Sequence, residues 1–390
     1  MEQSWTITET GCSFSSSDFC IPARELGLGP VGYCRKSTLR GGRQEGVEII
    51  ELSNGTVSLR VCPTRGMGII DGRFGAHSLG WQSPVREIVH PAYVNLYDLG
   101  GRGAHYGFNE LLNRCGIEWS GAMGNDEVVN NMGERSSVFL PLHGKVGWTP
   151  ASRVVLRVFP DAVTLEGDVP EQNVFGVNYV LRTSVTVRAG SSVIDIQDRL
   201  RNLGAQPGEY ELLYHTNFGP PFLERGARFL GTYDRLVPRD EHASKGLEGM
   251  GRFEGPTPGF SEQVFLLHTV GDSEGLGHMA LLNAAGTLAA HVSFSVDTLP
   301  YGILWKRTAA MEDGYVAGLN PCSDLPNPRK VERQEGRVAT IGAGAEAVFR
   351  ERIELVDGRD RVRALEDRLH ALEVPSQTGA PGDFRKLGGR

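Results

Sequence analysis

The sequence predicts an all-β fold of antiparallel strands, arranged either as a sandwich or as a large barrel. Fifty-one glycines and 21 prolines punctuate a chain of 390 residues that contains few long helical patterns, which favours strands joined by turns. Residues 47–62 form two alternating runs around Asn54-Gly55, the strongest short-range signal of a β-hairpin. Further runs between residues 152 and 200 alternate apolar and polar residues. Such alternation is typical of antiparallel strands with one face in water.

The first 46 residues are polar and rich in glycine. We expect residues 1–46 to form an irregular lead-in, with one strand at most, packed on a main domain of residues 47–373. After the hairpin, a glycine-interrupted run at residues 63–70 predicts another strand. Glycine inside a strand pattern indicates a bulge or a close approach by a ligand or another backbone. Arg65 in this run is therefore either a guanidinium that binds ligand hydroxyls or an ordinary surface arginine.

A short helix is predicted between residues 100 and 125. Four apolar residues there have helical spacing and would share one face, namely Phe108, Leu111, Leu112 and Cys115. The neighbouring segment GGRG is not a phosphate loop, because it lacks the lysine of a Walker A motif and no βαβ pattern surrounds it. The sequence therefore does not indicate a nucleotide site.

Most of the remaining chain is predicted to form strands. The predicted strands are residues 152–158, 162–168, 178–188, 193–200, 263–269, 279–282, 287–296, 303–307 and 346–356. Only residues 361–373 form a convincing helical pattern, with one apolar stripe that includes Leu365 and Leu369, and Pro375 ends it. We expect the glycine- and proline-rich tail, residues 374–390, to be ordered only where it docks on the domain.

Composition and charge narrow the classes of function. The formal net charge of −7 and a pI near 5.9 argue against nucleic acid as a partner. No run approaches the roughly 18 apolar residues of a membrane span, and the first residues do not form a basic, apolar leader. We therefore expect a cytoplasmic protein without a membrane partner, and its oligomeric state is open. The six cysteines lack metal-ligand spacing, so we expect reduced thiols, no metal and no cofactor.

His215 is the leading candidate for chemistry. It belongs to a predicted strand that ends in His-Thr-Asn-Phe218, just before a Gly-Pro-Pro break. A sheet fixes such a side chain while the following loop leaves room for a ligand. The structural alternative is a core or capping histidine. The same two interpretations apply to His143, which stands beside a glycine at the start of another predicted strand.

The order of several motifs resembles the aldose 1-epimerase (galactose mutarotase-like) superfamily. These motifs are Leu142-His-Gly144, the His215-Thr-Asn-Phe218 strand end, the Val-Pro-Arg-Asp240 turn and Gly318-Leu-Asn320 before a proline-rich loop. Other motifs resemble the bacterial aldose-1-epimerase-like branch of unknown function: Thr64-Arg-Gly-Met67, Trp81-Gln-Ser-Pro84, the segment from Pro221 to Arg228, and Glu262-Gln-Val264. The resemblance covers about residues 47–356. It implies a large antiparallel β-sandwich, the galactose mutarotase-like supersandwich, with a few short helices.

The resemblance also implies a sugar site. Mutarotation needs a base that takes the proton of the anomeric hydroxyl and an acid that protonates the ring oxygen. By similarity, His215 is the acid, His143 helps to hold the sugar and Asp240 binds ring hydroxyls. An imidazole with an ordinary pKa of ~6.5 can supply or accept a proton at neutral pH. The other expected substrate-binding residues are Arg65, Asn217, Glu262, Lys306 and Asn320. Lys306 either neutralises a substrate carboxylate or phosphate, or snorkels at the surface.

The base is the point at which this sequence departs from the family. The position that matches the family's glutamate is Asn320, and an amide only donates or accepts hydrogen bonds. Asp324, four residues on, is the first candidate substitute, although an aspartate near prolines is often a turn former. Glu262 or Glu211 could serve from a neighbouring strand. Arg114 lies near the position of the family's arginine.

Three functions are compatible with the sequence, and all have a small-molecule carbohydrate as the partner. The first is an aldose 1-epimerase-like isomerase that acts at or near the anomeric centre of a sugar or sugar derivative, with His215 as general acid and a non-standard base. The second is another carbohydrate reaction on the same fold, either isomerisation, elimination or glycoside cleavage, with His143 and His215 as a catalytic acid/base pair, because fold does not dictate chemistry. The third is a sugar-binding protein without turnover, with a pocket built from Arg65, His143, Asp240 and Trp81 or Trp305.

Overall fold

Two large β-sheets pack face to face and enclose the main hydrophobic core. The computed structural model describes residues 3–28 and 31–383. One sheet has ten strands and the other has fourteen, and a two-stranded hairpin is separate from both. Apolar side chains from both sheets form one continuous cluster, as expected for a β-sandwich. The predicted all-β class and the sandwich architecture are confirmed.

The described strands follow one another along the chain in this order: β1 (Gln3–Glu9), β2 (Phe14–Ser15), β3 (Phe19–Pro22), β4 (Tyr33–Thr38), β5 (Glu48–Ser53), β6 (Val57–Cys62), β7 (Gly68–Phe74), β8 (His77–Leu79), β9 (Leu112–Ile117), β10 (Gly124–Val129), β11 (Arg135–Leu140), β12 (Arg153–Val158), β13 (Ala162–Gln172), β14 (Asn178–Arg188), β15 (Val193–Asn202), β16 (Gly208–Phe218), β17 (Arg228–Gly231), β18 (Tyr233–Pro238), β19 (Gln263–Thr269), β20 (Leu276–Leu282), β21 (Leu288–Ser295), β22 (Tyr301–Thr308), β23 (Tyr315–Cys322), β24 (Ala339–Ile341), β25 (Glu346–Asp357) and β26 (Gln377–Thr378).

The helices are few and mostly short, as predicted. The described α-helices are α1 (Ala23–Leu26), α2 (Asp98–Gly101), α3 (Glu241–Ser244), α4 (Arg329–Gln334) and α5 (Arg359–His370). Short 3-10 turns lie at Thr10–Cys12, Gly42–Gln44, Pro63–Arg65, Pro91–Tyr93, Gly103–Tyr106, Val146–Trp148 and Met311–Asp313.

Strand β16 lies in the interior of the fourteen-stranded sheet. The order of that sheet is β26-β18-β19-β22-β23-β16-β9-β7-β6-β5-β4-β3, with β24 beside β16 and β8 beside β7. The ten-stranded sheet has the order β17-β20-β21-β25-β15-β14-β13-β12-β1-β2, and β10 pairs with β11. Because β16 is hydrogen bonded to both β23 and β9, sheet neighbours cover both of its edges.

The alternation of side chains along β16 separates the core from a second, outer face. Leu212 and Tyr214 belong to the core between the sheets. Leu213 belongs to a different apolar cluster, which it shares with residues of β19, β22 and β23. Since successive side chains of a strand point to opposite faces, His215 and Asn217 lie on the same outer face as Leu213.

The predicted hairpin and the later predicted strands are confirmed. β5 and β6 flank Asn54-Gly55, and the Asn54 side chain accepts hydrogen bonds from the N–H groups of Thr56 and Val57. The alternating runs between residues 152 and 200 form β12 to β15. The remaining predicted runs correspond to β19, β20, β21, β22 and β25.

The first 46 residues are more regular than predicted. β1 pairs with β12 in the ten-stranded sheet, whereas β3 and β4 extend the other sheet through β5. These strands lie at or near sheet edges, and many of their residues are exposed or half-buried. A strand that is exposed on both faces can carry polar residues on both. Residues 1–46 therefore lack the alternation of apolar and polar residues that predicts a strand.

The helix predicted around Phe108 and Cys115 is wrong. Leu112–Ile117 form strand β9, and all six residues are buried between β7 and β16. Spacing alone cannot assign a short apolar run to a helix or a strand. Because both faces of β9 are buried, its apolar residues also fall at positions that fit the spacing of a helix.

Helix α5 covers the outer face of the ten-stranded sheet. Its buried side chains, Val362, Leu365 and Leu369, share an apolar cluster with residues of β20, β21 and β25. The helix ends at His370, three residues before the predicted end. Part of the predicted tail docks, because β26 pairs in parallel with β18; residues 384–390 lie outside the described residues. Within residues 3–28 and 31–383, no helix is long and apolar enough to cross a membrane.

A buried ion pair joins the two sheets. Arg114 of β9 donates to both carboxylate oxygens of Asp198 in β15, at 2.5 and 3.1 Å, and neither side chain is exposed. The Tyr214 hydroxyl donates to the same carboxylate at 2.9 Å. Arg114 therefore belongs to the core and does not serve as a ligand-binding arginine on the outer face.

We predict that Arg114→Met destabilises the fold by about 3–5 kcal/mol, because it leaves the Asp198 carboxylate buried without a positive partner. Urea unfolding measures this loss. The control is Arg352→Met, which breaks an ion pair with Asp195 that is partly exposed on both sides and should cost about 0–1 kcal/mol. Equal losses in the two variants would contradict the structural role given to Arg114.

Candidate functional site

His215 lies on the outer face of β16, and Asn217 sets the orientation of its imidazole. His215 Nδ1 lies 2.7 Å from Asn217 Oδ1. The Asn217 amide group donates both of its protons to main-chain carbonyls, those of Glu110 and His215, at 3.0 Å each. The amide oxygen must therefore face the imidazole as an acceptor. It follows that His215 carries a proton on Nδ1, and that Nε2 is the acceptor in the neutral ring.

His143 presents a second imidazole in the same tautomer. Its Nδ1 lies 2.8 Å from the carbonyl oxygen of Ser120, which can only accept, so Nδ1 carries the proton. The backbone is tightly constrained: His143 has φ 65°, and a Cβ added to Gly144 would come within 2.3 Å of two carbonyl oxygens. The two imidazole centroids are 5.6 Å apart, with planes at 77°.

Aromatic rings surround His215. Trp305 of β22 and Phe108 lie edge-on to the imidazole, with centroid distances of 5.1 and 4.9 Å. Trp81 lies 5.6 Å from Phe108, and its indole N–H donates to the carbonyl of Glu110 at 3.0 Å. The site thus combines flat apolar surfaces with ring nitrogens, a common composition for small-molecule pockets.

Glu262 is a half-exposed carboxylate at the edge of this group. It accepts a hydrogen bond from the Trp305 indole at 2.8 Å and pairs with Arg239 at 3.0 Å. Burial raises the pKa of Glu262, but the Trp305 hydrogen bond and the charges of Arg239 and Arg307 outweigh it and lower the pKa. Asp240 lies next along the chain from Arg239, where its side chain caps helix α3 through the N–H of Ala243.

Both imidazoles are neutral in this environment. Burial, followed by the nearby His143, lowers the pKa of His215 to about 3, although the bond to Asn217 opposes the shift. Burial also lowers the pKa of His143, although the hydrogen bond to the Ser120 carbonyl opposes that shift. The charge of Glu262 likewise acts to raise the pKa of His143. Each ring therefore starts as a proton acceptor at neutral pH.

Asn320 lies directly beside His215. The register of β16 and β23 places the two residues opposite each other, on the same face. The Asn320 amide oxygen accepts the N–H of Thr216 at 3.0 Å. Asn320 therefore holds the main chain at the histidine and has no proton to exchange.

The structure does not place Arg65 against a ligand. Its side chain is fully buried in an ion pair with Glu110, and it also donates to the Gly107 carbonyl at 2.9 Å and to Asn109 Oδ1 at 3.1 Å. The guanidinium therefore has an internal role. It fixes the segment that carries Phe108 into the site.

Lys306 is also occupied by the fold, contrary to both predicted roles. Its ammonium donates to the main-chain carbonyls of Gly249, Met250 and Arg252, at 2.9, 3.1 and 2.6 Å. These contacts use all three donors of an ammonium group, and burial lowers the pKa of Lys306 to about 8. Lys306 is neither at the surface nor available to a substrate carboxylate or phosphate.

Asp324 does not swing in as a substitute base. It is fully buried, and it accepts hydrogen bonds from the hydroxyls of Ser120 and Ser323, at 3.3 and 3.0 Å. Burial, with the neighbouring Glu211, raises the pKa of Asp324 well above its usual range. Glu211 is equally buried and accepts the N–H of Ser120 at 2.8 Å. Both carboxyls lie behind Ser120, the residue that orients His143.

Sequence reasoning missed several residues of this site. Phe108 was assigned to the core face of a helix, and neither Ser120 nor His105 stood out. The charge of Glu262 acts on the pKa of His105. His105 in turn contributes to lowering the pKa of both catalytic candidates, His143 and His215. A loop histidine between glycines could have signalled His105. In the described part of the chain, no group of three or more histidine, cysteine, aspartate or glutamate side chains could hold a metal ion.

Comparison with solved structures places this architecture in a known fold. A candidate aldose 1-epimerase from Klebsiella pneumoniae is 30% identical, with a TM-score of 0.90 over 97% of this chain and 98% of that chain. A galactose mutarotase-like protein from Clostridium acetobutylicum is 14% identical, with a TM-score of 0.59 over 83% and 98%. Galactose 1-epimerase from Lactobacillus acidophilus is 10% identical, with a TM-score of 0.52 over 83% and 99%. The two more distant likenesses show the fold alone.

No curated protein matches the chain. The model of a protein family matches residues 44–355, and that family is described as a domain of unknown function, DUF4432. The match agrees closely with the limits of the resemblance seen in the sequence, and the predicted relationship to the aldose 1-epimerase superfamily is confirmed by the shared fold. The chain belongs to the DUF4432 family.

Proposed function

We propose that the chain is a carbohydrate-active enzyme, an aldose 1-epimerase-like isomerase that acts at or near the anomeric centre of a sugar or sugar derivative. The observation that carries the proposal is the pair of neutral histidines, His143 and His215. Their Nδ1 protons are engaged by Ser120 and Asn217, so both Nε2 atoms act as acceptors. Two acceptors so close together suit the vicinal hydroxyls of a sugar. The 30% identity to a candidate aldose 1-epimerase supports the same assignment.

The surroundings of the two histidines suit the rest of a sugar ring. Trp305 and Phe108 offer apolar surfaces beside His215, against which the C–H face of a pyranose packs. Glu262 is half-exposed and ionised, and it accepts hydroxyl hydrogen bonds beyond those from Trp305 and Arg239. Asp240, near the same edge, extends the polar rim.

One histidine is enough for the chemistry. His215 Nε2 takes the proton of the anomeric hydroxyl while the bond from C1 to the ring oxygen breaks and a carbonyl forms at C1. The resulting imidazolium gives the same proton to the departing ring oxygen, which was bonded to the same carbon. Rotation about the C1–C2 bond and the reverse steps close the ring on the other face. Atoms and charge balance without a cofactor.

This mechanism changes the role that the sequence suggested for His215. The resemblance implied an acid, but a ring with a pKa of about 3 starts as a base and becomes an acid only after it has taken the substrate proton. His143 accepts a hydrogen bond from a neighbouring hydroxyl. A carboxylate at the position of Asn320 is then unnecessary, because a separate base has no step to perform.

The proposal predicts faster exchange between the α and β anomers of at least one sugar. The measurement is NMR exchange spectroscopy on a panel of aldoses, uronic acids and keto-sugars. His215→Gln should lower the exchange rate by roughly 100-fold or more, because general acid–base catalysis contributes about that much. The matched control is His370→Gln, which changes an exposed histidine on α5, the helix that covers the other sheet, and should leave the rate unchanged.

Two results would overturn this assignment. A sugar that binds the wild type, with no exchange in any member of the panel and binding retained in His215→Gln, would identify a non-catalytic sugar-binding protein. A new product from a glycoside without anomeric exchange would identify another carbohydrate reaction on the same fold.

The depressed pKa of His215 predicts a specific pH dependence. The unfolded ring titrates near ~6.5 and the folded ring has a pKa of about 3, so the unfolded state binds the extra proton as the pH falls. The stability advantage of wild type over His215→Gln should be constant above pH ~6.5 and then fall by roughly 1.4 kcal/mol per pH unit between about pH 6 and 4. Urea unfolding across this range tests it; a pH-independent difference would mean that the folded ring keeps an ordinary pKa.

A further inference from the structure

The residue that orients His143 is itself held by two buried carboxyl groups. Ser120 donates its N–H to Glu211 at 2.8 Å and its hydroxyl to Asp324 at 3.3 Å. Its carbonyl accepts the Nδ1 proton of His143. Three of the hydrogen-bonding groups of Ser120 are therefore engaged, two by carboxyls and one by the imidazole. A shift of either carboxyl would move the carbonyl that selects the tautomer of His143.

The two carboxyl groups are placed to share one proton. Glu211 Oε1 and Asp324 Oδ2 are both buried and have no donor among the described residues, whereas the second oxygen of each group is bonded to Ser120. The two side chains nevertheless contact each other as hydrogen-bond partners. Two ionised carboxylates would repel each other in such a contact, and one proton between the orphan oxygens satisfies both.

The surrounding charges indicate which group carries the proton. Arg329 of α4 lies 3.9 Å from Glu211 and favours a negative charge there. Glu332 acts to raise the pKa of both carboxyls and is itself paired with Arg337, so it does not distinguish them. Glu118, the other nearby acid, is 4.0 Å from Arg329. Burial raises the pKa of both groups, and the charge of Arg329 opposes the shift at Glu211. Arg329 therefore favours Asp324 as the acid and Glu211 as the carboxylate.

We propose that Glu211 and Asp324, joined by one shared proton, are positioning residues that hold Ser120 and thereby keep the Nε2 atom of His143 free for the ligand. Neither carboxyl touches the ligand in this arrangement. The inference concerns the site of the proposed function and depends on it for its biological meaning. The tautomer of His143, however, can be measured without any substrate.

The shared proton makes the arrangement sensitive to high pH. Burial raises the pKa of Asp324 in the folded state, so the stabilising contribution of its proton is fully present below the unfolded pKa and is lost as the pH rises through the folded pKa. Ionisation of both carboxyls would push them apart and release Ser120. The Asp324→Asn side chain would donate to Glu211 through its amide N–H and accept through its oxygen, and so would mimic the protonated acid at every pH.

The test is the tautomer of His143 in the full chain, read from long-range ¹⁵N–¹H NMR spectra, with the signals assigned by their loss in His143→Gln. In wild type we expect the share of the Nε2–H tautomer to grow as the pH is raised from 6 to 10. Asp324→Asn should keep the Nδ1–H tautomer across the whole range. Glu211→Leu should show mixed tautomers already at pH 7, because it removes the only side-chain acceptor of the Ser120 N–H.

The wild type and Asp324→Asn decide the question even if Glu211→Leu fails to fold. A wild-type tautomer that does not change with pH, or an Asp324→Asn chain that changes with pH as wild type does, would overturn the inference. Ligand affinity gives the second readout: a sugar found by the exchange panel should bind roughly 5- to 30-fold more weakly to Glu211→Leu, the equivalent of one lost buried hydrogen bond. If no sugar binds at all, the proposed function is contradicted. The tautomer measurement needs no sugar and still tests the inference.

Discussion

The structure depends on the burial of both faces of strand β16. Its even-numbered side chains reach into the core, where Tyr214 bonds Asp198 and Thr216 bonds Glu351 at 2.7 Å, both on strands of the opposite sheet. Its odd-numbered side chains, from Glu211 to Asn217, occupy the outer face. The two faces of a strand cannot rotate independently of each other. The bonds that join the two sheets therefore also fix the position of His215 on the far side.

Polar groups in the interior explain why the site contains so few of the expected charged residues. A buried cation is costly unless it is paired or fully hydrogen bonded. Arg65 and Lys306 meet this requirement with an ion pair and with three carbonyls, respectively, and both side chains are buried. The candidate site on the outer face contains instead a pair of neutral imidazoles, aromatic rings and one carboxylate. That composition suits hydroxyl groups, which both donate and accept.

The sequence predicted the fold well because alternation and turn residues are local signals. The Asn54-Gly55 hairpin and β12 to β15 follow directly from them. The sequence could not assign β9, because a strand that is buried on both faces lacks the alternation of apolar and polar residues. For the same reason the position of Phe108 was not predicted. For the candidate site, the structure brings His215, His143, Asn217 and Asn320 together through strand pairing and the Ser120 loop, and their roles stay predictions. The roles of Arg65, Lys306 and Asp324 depend on partners roughly 50 to 200 residues away along the chain, such as Glu110 and Ser120, and no local pattern contains that information.

The assignment of the acceptor is the central claim, and a crystal structure of the protein with a bound sugar at neutral pH tests it most directly. We predict that the anomeric hydroxyl or the ring oxygen lies within about 2.6–3.2 Å of His215 Nε2, with Trp305 against an apolar face of the ring and His143 Nε2 on another hydroxyl. Asn217 should still engage Nδ1. A sugar bound away from the outer face of β16, or a His215 ring flipped so that Nε2 meets Asn217, would contradict the claim.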